Sequence, residues 1–182
     1  MRELSLNILD IAQNSIKAQA TLIEIEITLQ SKELKITIKD NGSGMSEEFL
    51  AKVTDPFTTT RTTRKVGMGI PLFKEGAEAS GGKFTITSKL GEGTKVSATY
   101  DIDNIDRMPL GSIEETIATL IHANPNIDYL FNYTVNGEAF RFCTKEVKEI
   151  MQEVAIDSYE VLDFIKEHIK ENVKIINGGL II

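Results

Sequence analysis

The sequence predicts a two-layer α/β sandwich followed by a small α+β unit. Three observations predict it. An amphipathic helical pattern opens the chain, two pairs of alternating strands follow with a loop and a second helix between them, and a third group places helices around a hairpin. Helices with one apolar stripe and strands with one apolar face pack as layers around a shared core. The chain has 182 residues, of which 41% are hydrophobic, enough for one domain or one domain with a small second one.

The first predicted element is a helix over the first 18 residues, because apolar residues recur there at helical spacing. Residues 21–30 and 33–40 alternate between apolar and polar side chains, which predicts two strands joined as a hairpin by the turn "QSKE". The segment "SEEFLAKV" predicts a short helix with Ser46 as its N-cap, since a serine hydroxyl accepts from the first unpaired N–H groups of a helix.

A loop and the second half of the predicted sandwich come next. Residues 54–69 are rich in Thr, Gly and charge, show no periodicity and predict a loop. The segment "IPLFKEGAEAS" predicts a helix with Pro71 in its first turn and a glycine pair after its end. Residues 83–90 and 94–102 alternate again and predict two more strands around the turn "GEGT".

The pattern lapses after residue 101, which predicts a division into residues 1–103 and 104–182. In the second unit, Ser112 and Glu115 have the spacing of a capping box that opens a helix. Asn136-Gly137 predicts a two-residue hairpin turn, and two helical stretches follow. The apolar end, "VKIINGGLII", is predicted to dock as an edge strand on this chain or a neighbour. We expect this unit to bind a partner or to dimerise, without catalytic residues; a structural extension of the sandwich is the equal alternative.

Charge and cysteine content narrow the classes of partner. The net charge is −7, and no cluster of Lys and Arg offsets it, so no nucleic-acid or anionic-membrane partner is expected. A single cysteine, Cys143, cannot form an internal disulfide, and this favours a cytoplasmic protein. His122 and His168 are too far apart in sequence to indicate a transition-metal site.

Asp10 and Asn14 form the first candidate motif. They stand four residues apart and share one face of the predicted helix. A carboxylate and an amide there can coordinate a hydrated Mg²⁺ and orient a water. Taken alone, a solvated position at the edge of the apolar stripe explains them better. Lys17, one turn further, can meet a phosphate, although a solvated surface lysine explains it better when it is taken alone.

The stretch "DNGSGM" is the second motif. Asp40 ends a predicted strand, and a carboxylate at that position can accept a hydrogen bond from the exocyclic amine of adenine. Gly42 and Gly44 remove the side chains that would keep a flat ring away from the backbone. The alternative is a plain strand-to-helix turn, for which Asn-Gly is itself a signal.

Two glycine pairs and a polar loop complete the set. Gly67 and Gly69 precede a predicted helix, where free backbone N–H groups favour a phosphate; a flexible loop end is the alternative. The turn "GEGT", ending at Thr94, reads first as a hairpin turn. The loop "DPFTTTR" contains Thr59 and Arg61, which suit a lid over phosphates or an exposed loop.

In this order, the motifs resemble the GHKL ATPase superfamily, the group of DNA gyrase, Hsp90, sensor histidine kinases and MutL. The resemblance covers roughly Met1 to Ile102 and implies the Bergerat α/β sandwich with ATP and Mg²⁺ as cofactors. It implies that Asn14 binds Mg²⁺, that Asp10 is the catalytic base, that Asp40 reads the adenine amine and that Thr94 supports the ring through water. The nucleotide contacts that it implies are Asn14, Lys17, Asp40, Gly42, Gly44, Met45, Thr59, Arg61, Gly67, Met68, Gly69, Ile70 and Thr94.

Three functions stay open from the sequence. The loop "DPFTTTR" resembles that of the kinase branch, but neither His122 nor His168 stands in a phosphoacceptor motif, so autophosphorylation is unsupported. The chain can be a stand-alone kinase acting on a partner protein, a slow ATPase that gates a partner, or an adaptor that uses nucleotide only as a switch. We therefore expect ATP and a protein partner or substrate, and we leave a homodimer open.

Overall fold

The computed structural model of the protein describes residues 3–54, 68–180 and 182. Its helices are α1 (Leu4–Lys17), α2 (Glu47–Leu50), α3 (Gly69–Ala79), α4 (Ile113–Ala123), α5 (Thr144–Met151) and α6 (Tyr159–Asn177). Its strands are β1 (Leu22–Gln30), β2 (Glu33–Asp40), β3 (Phe84–Lys89), β4 (Gly93–Asp101), β5 (Asp128–Val135) and β6 (Glu138–Cys143). None of the described helices is long and apolar enough to cross a bilayer.

The described strands form one six-stranded sheet in the order β3-β4-β2-β1-β5-β6. All neighbouring strands are antiparallel except β1 and β5, which run parallel with Leu22 beside Asp128. Asp40, at the end of β2, lies between Ile23 on β1 and Thr94 on β4. The C-terminal end of β2 therefore lies near the middle of the sheet, with a paired strand on each side.

Alternation along the strands decides which face of the sheet is covered. On β1, Ile23, Ile25 and Ile27 are buried, whereas Glu26 between them is exposed. The buried side packs against the apolar stripe of α1, which includes Leu4 and Ile8, and against α3, α4 and α6. The predicted two-layer α/β sandwich is confirmed.

The predicted hairpins and the first helix cap are confirmed. Asn136 and Gly137 connect β5 and β6 with φ values of 48° and 95°, the left-handed pair that a type I′ turn requires. Ser46 caps α2, its hydroxyl accepting from the Phe49 N–H at 3.2 Å. The loop predicted over residues 54–69 lies mostly outside the described residues, except for its ends.

The predicted capping box at Ser112 is wrong, although α4 does begin at the next residue. Ser112 makes no side-chain cap hydrogen bond. Its backbone, with φ −84° and ψ 86°, lies outside the extended conformation that aims a capping hydroxyl at the helix N–H groups. The Thr116 side chain instead connects this helix to α1, donating to the Ser5 carbonyl at 3.2 Å.

The predicted edge strand at the end of the chain is also wrong. Residues 173–177 belong to α6, where Val173 and Ile176 have helical spacing and pack against the core. Gly178, in the left-handed conformation, ends the helix. Ile182 is buried in the core, and its carbonyl accepts from the Leu110 N–H at 3.1 Å; no described residue of this end belongs to a strand of the sheet.

The segments on the two sides of residue 103 share one sheet. β5 pairs with β1 along eight residues, and α4 packs on α1 and α6. The N–H groups of Leu4 and Ser5 donate to the carbonyls of Pro109 and Leu110 at 2.9 and 2.8 Å. The division at residue 103, with residues 104–182 as a partner-binding or dimerisation module, stays a prediction.

Candidate functional site

A cleft of about 210 Å³ opens between α1, α2, the start of α3 and the ends of β2 and β4. Its floor is apolar, formed by side chains that include Ile11, Ile38 and Val96. Its polar lining side chains include Asn14, Ser15, Lys17, Asp40 and Thr94. The lining residues are Ile11, Asn14, Ser15, Lys17, Ala18, Ile38, Asp40, Gly44, Met45, Phe49, Val53, Ile70, Thr94 and Val96. An apolar slot with a few polar groups is the usual form of a small-molecule site.

Asp40 is the best-anchored polar group of the cleft. It is buried, and the hydroxyl of Ser15 on α1 donates to its Oδ2 at 2.6 Å. The backbone N–H groups of Gly42 and Thr94 donate to its Oδ1 at 2.9 and 3.3 Å. Three donors from three separate segments therefore hold the carboxylate in one orientation.

The carboxylate of Asp40 keeps acceptor capacity. An ionised carboxylate has about four acceptor positions, and the described protein donors occupy three of them. One position remains for a donor on a ligand in the cleft. A fixed, partly desolvated acceptor discriminates strongly, because a ligand that presents another acceptor there leaves both groups unpaired.

The glycines beside Asp40 allow two turns to pack backbone against backbone. A Cβ atom on Gly44 would lie 2.0 Å from the Lys89 carbonyl oxygen, and one on Gly93 would lie 2.0 Å from the Asp40 carbonyl oxygen. The Gly91 N–H donates to the Ser43 carbonyl across the same contact at 2.7 Å. No side chain fits in these places, so the two turns form one wall of the site.

Thr94 occupies the position beside Asp40 on β4, and a hydroxyl network fixes it. The Ser88 hydroxyl accepts from the Met45 N–H at 2.8 Å and donates to the Gly93 carbonyl at 2.9 Å. Ser88 has only one hydroxyl proton, so in its 2.8 Å contact with Thr94 the threonine is the donor. The Thr94 oxygen therefore keeps lone pairs for a water or a ligand in the cleft.

Asn14 and Lys17, on the last turn of α1, also line the cleft. The Asn14 amide nitrogen is buried and has no hydrogen-bond partner among the described residues. A buried amide without a partner is costly, about 1–3 kcal/mol, and such a group in a cleft indicates an absent ligand or water. The nitrogen is a donor and suits an acceptor such as a phosphate or water oxygen, and the oxygen of the same side chain is the type of ligand that a hydrated Mg²⁺ takes.

Asp10 lies one turn earlier on α1 and is not among the residues that line the cleft. It stands against the start of α3. A Cβ atom on Gly69 would lie 2.9 Å from the Asp10 Cβ and 3.6 Å from its Oδ2. Gly69 therefore lets the N-terminus of α3 approach α1 beside this carboxylate.

The remaining predicted nucleotide contacts divide into three groups. Met45 and Ile70 line the cleft. Met68 is exposed and precedes α3. Thr59, Arg61 and Gly67 lie outside the described residues.

Sequence reasoning missed several residues that build the site. Ser15 was assigned only to the helix stripe, and Ser88 only to a strand. Asn41 anchors the turn after β2, its Oδ1 accepting from the Thr21 and Leu22 N–H groups, both at 2.9 Å. A small polar residue beside Asn14 and an Asn after Asp40 were visible, but their partners are at least 19 residues away and no local pattern indicates them.

Comparison with known proteins matches residues 2–104 to the family described as histidine kinase-, DNA gyrase B-, and HSP90-like ATPase. The sensor protein kinase FleS of Pseudomonas aeruginosa is 33% identical over 110 residues, which cover 59% of this chain and 27% of FleS. Sporulation kinase D of Bacillus subtilis is 31% identical over 97 residues, 52% of this chain and 19% of that protein. The chain thus spans about a fifth to a quarter of these relatives.

Two solved structures share the fold. The ATPase domain of Aquifex aeolicus MutL, complexed with ADP, matches with a TM-score of 0.54 and 18% identity over 84% of this chain and 70% of that one. The N-terminal domain of a DNA repair protein matches with a TM-score of 0.55 and 15% identity over 78% of this chain and 52% of that one. At such identities the likeness concerns the fold alone.

Proposed function

Because the chain belongs to the family of histidine kinase-, DNA gyrase B-, and HSP90-like ATPases, we propose that its ATP-binding domain uses Mg²⁺-ATP to phosphorylate a protein partner. The observation that carries this proposal is the anchored carboxylate of Asp40, with one acceptor position left over an apolar slot. That position takes the exocyclic amine of adenine. Guanine has a carbonyl oxygen at the corresponding place, so GTP is excluded.

The adenine ring would lie between the turn at Gly44 and the apolar floor of the cleft. The network through Ser88 fixes Thr94 beside the ring, where its oxygen can hold a bridging water. We therefore orient the ligand with adenine at Asp40 and the phosphates at Asn14, both of which line the cleft.

The phosphates would lie beside α1 and the start of α3. Asn14 would hold Mg²⁺, which neutralises phosphate charge during transfer, and Lys17 would add a positive charge nearby. The free backbone N–H groups at the N-terminus of α3 favour the terminal phosphate. Thr59, Arg61 and Gly67, which lie outside the described residues, stay proposed as nucleotide contacts.

Asp10 is proposed as the base. In the transfer, the bond from the terminal phosphorus to ADP breaks, a bond to the acceptor's oxygen or nitrogen forms, and the proton that the acceptor releases passes to the Asp10 carboxylate. The position of Asp10 beside Gly69 and the first turn of α3 supports this role. A slow ATPase is the second candidate, because the same carboxylate can accept a proton from water.

The names of the kinase relatives favour a protein acceptor over water, but this chain covers only the smaller part of each relative. The test is to incubate the purified protein with γ-labelled ATP, alone and with candidate partner proteins. We expect label on a partner hydroxyl or imidazole, with Mg²⁺ required. Release of inorganic phosphate at the same rate with and without every partner supports the ATPase instead. Equal calorimetric affinity for ATP and GTP contradicts the assignment of Asp40.

A further inference from the structure

An exposed stripe crosses the outer side of α6. It consists of Phe164, His168, Glu171 and Ile175, spaced by four, three and four residues. This is the a/d spacing of a helix that pairs with another helix. Phe164 is 69% exposed and Ile175 is 71% exposed, although large apolar side chains at this spacing normally contact a partner.

The rest of the described chain does not cover this stripe. Val161, Ile165 and Ile169 face the core, and Lys166, on the side opposite the stripe, is 3.4 Å from Glu115 of α4. The stripe therefore points away from the helix layer. His168 contacts Phe140 of β6, the last strand of the sheet, with ring centroids 5.5 Å apart. The stripe stands at the open edge of the molecule, where another protein can approach.

The stripe is already rigid at one end. The ring of Phe164 stacks on His168 at 5.9 Å with an interplanar angle of 8°, and His168 packs edge-on against Phe140. The Asn172 amide donates to the His168 carbonyl at 2.8 Å. A preordered aromatic group loses little side-chain entropy on binding, so Phe164 suits an anchor.

The stripe is complementary to itself when it is reversed. If a second α6 runs antiparallel, Phe164 meets Ile175 of the second copy and His168 meets Glu171, and both contacts repeat through the two-fold axis. Beside this seam, Glu167 faces Lys174 of the second copy, and Lys174 faces Glu167. Opposite charges that flank the seam of a helix pair select the partner and its direction.

We propose that this face binds a second copy of the chain through an antiparallel α6–α6 pairing. The charge pattern selects this occupant, because the acidic and basic flanks match only when the helix meets its own reverse. α6 has 19 residues and is about 28 Å long. A seam of this length buries less surface than a standard interface, so the dimer is weak and forms at high protein concentration.

Sedimentation equilibrium on the full chain tests the pairing at concentrations from about 5 µM to 1 mM, the range of a weak dimer. We expect a reversible dimer, and Phe164→Ala should raise its dissociation constant at least about tenfold. Tyr159→Ala is the matched control: Tyr159 is 79% exposed on the same helix but lies off the stripe, so its loss should leave dimerisation unchanged.

Charge reversal tests the direction of the pairing. Glu167→Lys places like charges together and should weaken the dimer, whereas Glu167→Lys combined with Lys174→Glu should restore it. Thermal melts confirm that each exposed-site variant stays folded. A wild-type chain that is monomeric at every concentration overturns the proposal, whether the face then binds another protein or none. The proposal is also overturned if Phe164→Ala leaves the dissociation constant of the dimer unchanged, or if the double charge reversal does not restore dimerisation.

Discussion

Turns around the nucleotide cleft and turns in the C-terminal segment contain glycine for different physical reasons. At Gly44 and Gly93, an added Cβ atom would lie 2.0 Å from a carbonyl oxygen of the opposite turn. At Gly137 and Gly178, an added Cβ atom would meet nothing within 4 Å, and only the positive φ is demanding. The first pair makes room for backbone contact and the second makes a bend. A glycine spacing indicates a binding site when the glycines exclude side chains between two segments.

The largest expected effect comes from separating the region around the cleft from the C-terminal segment. We expect a chain ending at Asp103 to aggregate or to lose cooperative unfolding, because it leaves the whole edge of β1 unpaired and uncovers α1 where α4 packs. Solubility, a thermal melt and ATP titration measure the effect. A soluble, folded fragment that binds ATP like the full chain would restore the independent C-terminal module.

Replacing the glycines tests the contrast directly. Gly93→Ala should lower the free energy of unfolding by several kcal/mol, on the order of 4 or more, because the backbone of the facing segment cannot move away from the new Cβ atom. Gly137→Ala should lose only about 1–2 kcal/mol, the strain of a left-handed alanine. Urea denaturation of both variants measures the difference. Equal losses would show that close packing at Gly93 contributes nothing beyond its φ.

Replacing one helical carboxylate in each region distinguishes a catalytic role from a general effect of surface charge. Asp10→Asn should spare ATP binding and lower phosphoryl transfer or hydrolysis by about 10²–10⁴-fold, the usual contribution of a general base. Asp163→Asn, on α6, removes an exposed carboxylate and should leave turnover unchanged. If turnover survives Asp10→Asn, the base is another group.

Asp40 and Asp128 give the same contrast for binding. Asp40→Asn presents an amide donor to the adenine amine, which should weaken ATP binding by about 1–3 kcal/mol, or roughly five- to 150-fold. Asp128, at the start of β5, pairs with Lys148 at 2.9 Å; Asp128→Asn should change stability slightly and ATP affinity not at all. Calorimetry reports both affinities. Unchanged ATP binding by the Asp40 variant would contradict its role.

The smallest effect concerns alkaline pH and the core of the C-terminal segment. Burial raises the pKa of Tyr133 from 10.0 to about 12. Between pH 10 and 12 the unfolded chain ionises this phenol and the folded chain does not. The free energy of unfolding therefore decreases, and the protein becomes less stable, as the pH rises. Tyr133→Phe should reduce that fall, while losing about 1 kcal/mol at pH 8 with the hydrogen bond to Asn177. Urea midpoints at pH 8 and 11 measure it, with the exposed Tyr159→Phe expected to behave as wild type.

The sequence predicted those features of the fold that depend on residues close together in the chain. Alternation placed the first four strands, and the turn at Asn136-Gly137 was confirmed because both residues tolerate positive φ. Asp40 and its glycines were identified because the motif is continuous in sequence. Contacts between distant parts of the chain could not be predicted. Ser15 donates to Asp40 across 25 residues, and nothing in the sequence of β1 or β5 alone indicates that the two strands pair. The failed capping box at Ser112 shows the same limit, since tertiary contacts set that backbone conformation.

The parallel pairing of β1 with β5 has a consequence for how the chain is made. β1 leaves the ribosome about a hundred residues before the strand that covers its second edge. At about 5–20 residues per second, that interval lasts on the order of 5–20 seconds. Throughout it, the nascent chain exposes an apolar strand with a free edge in the centre of its future sheet. Chaperone binding to nascent chains in this length range would shield that strand until β5 arrives.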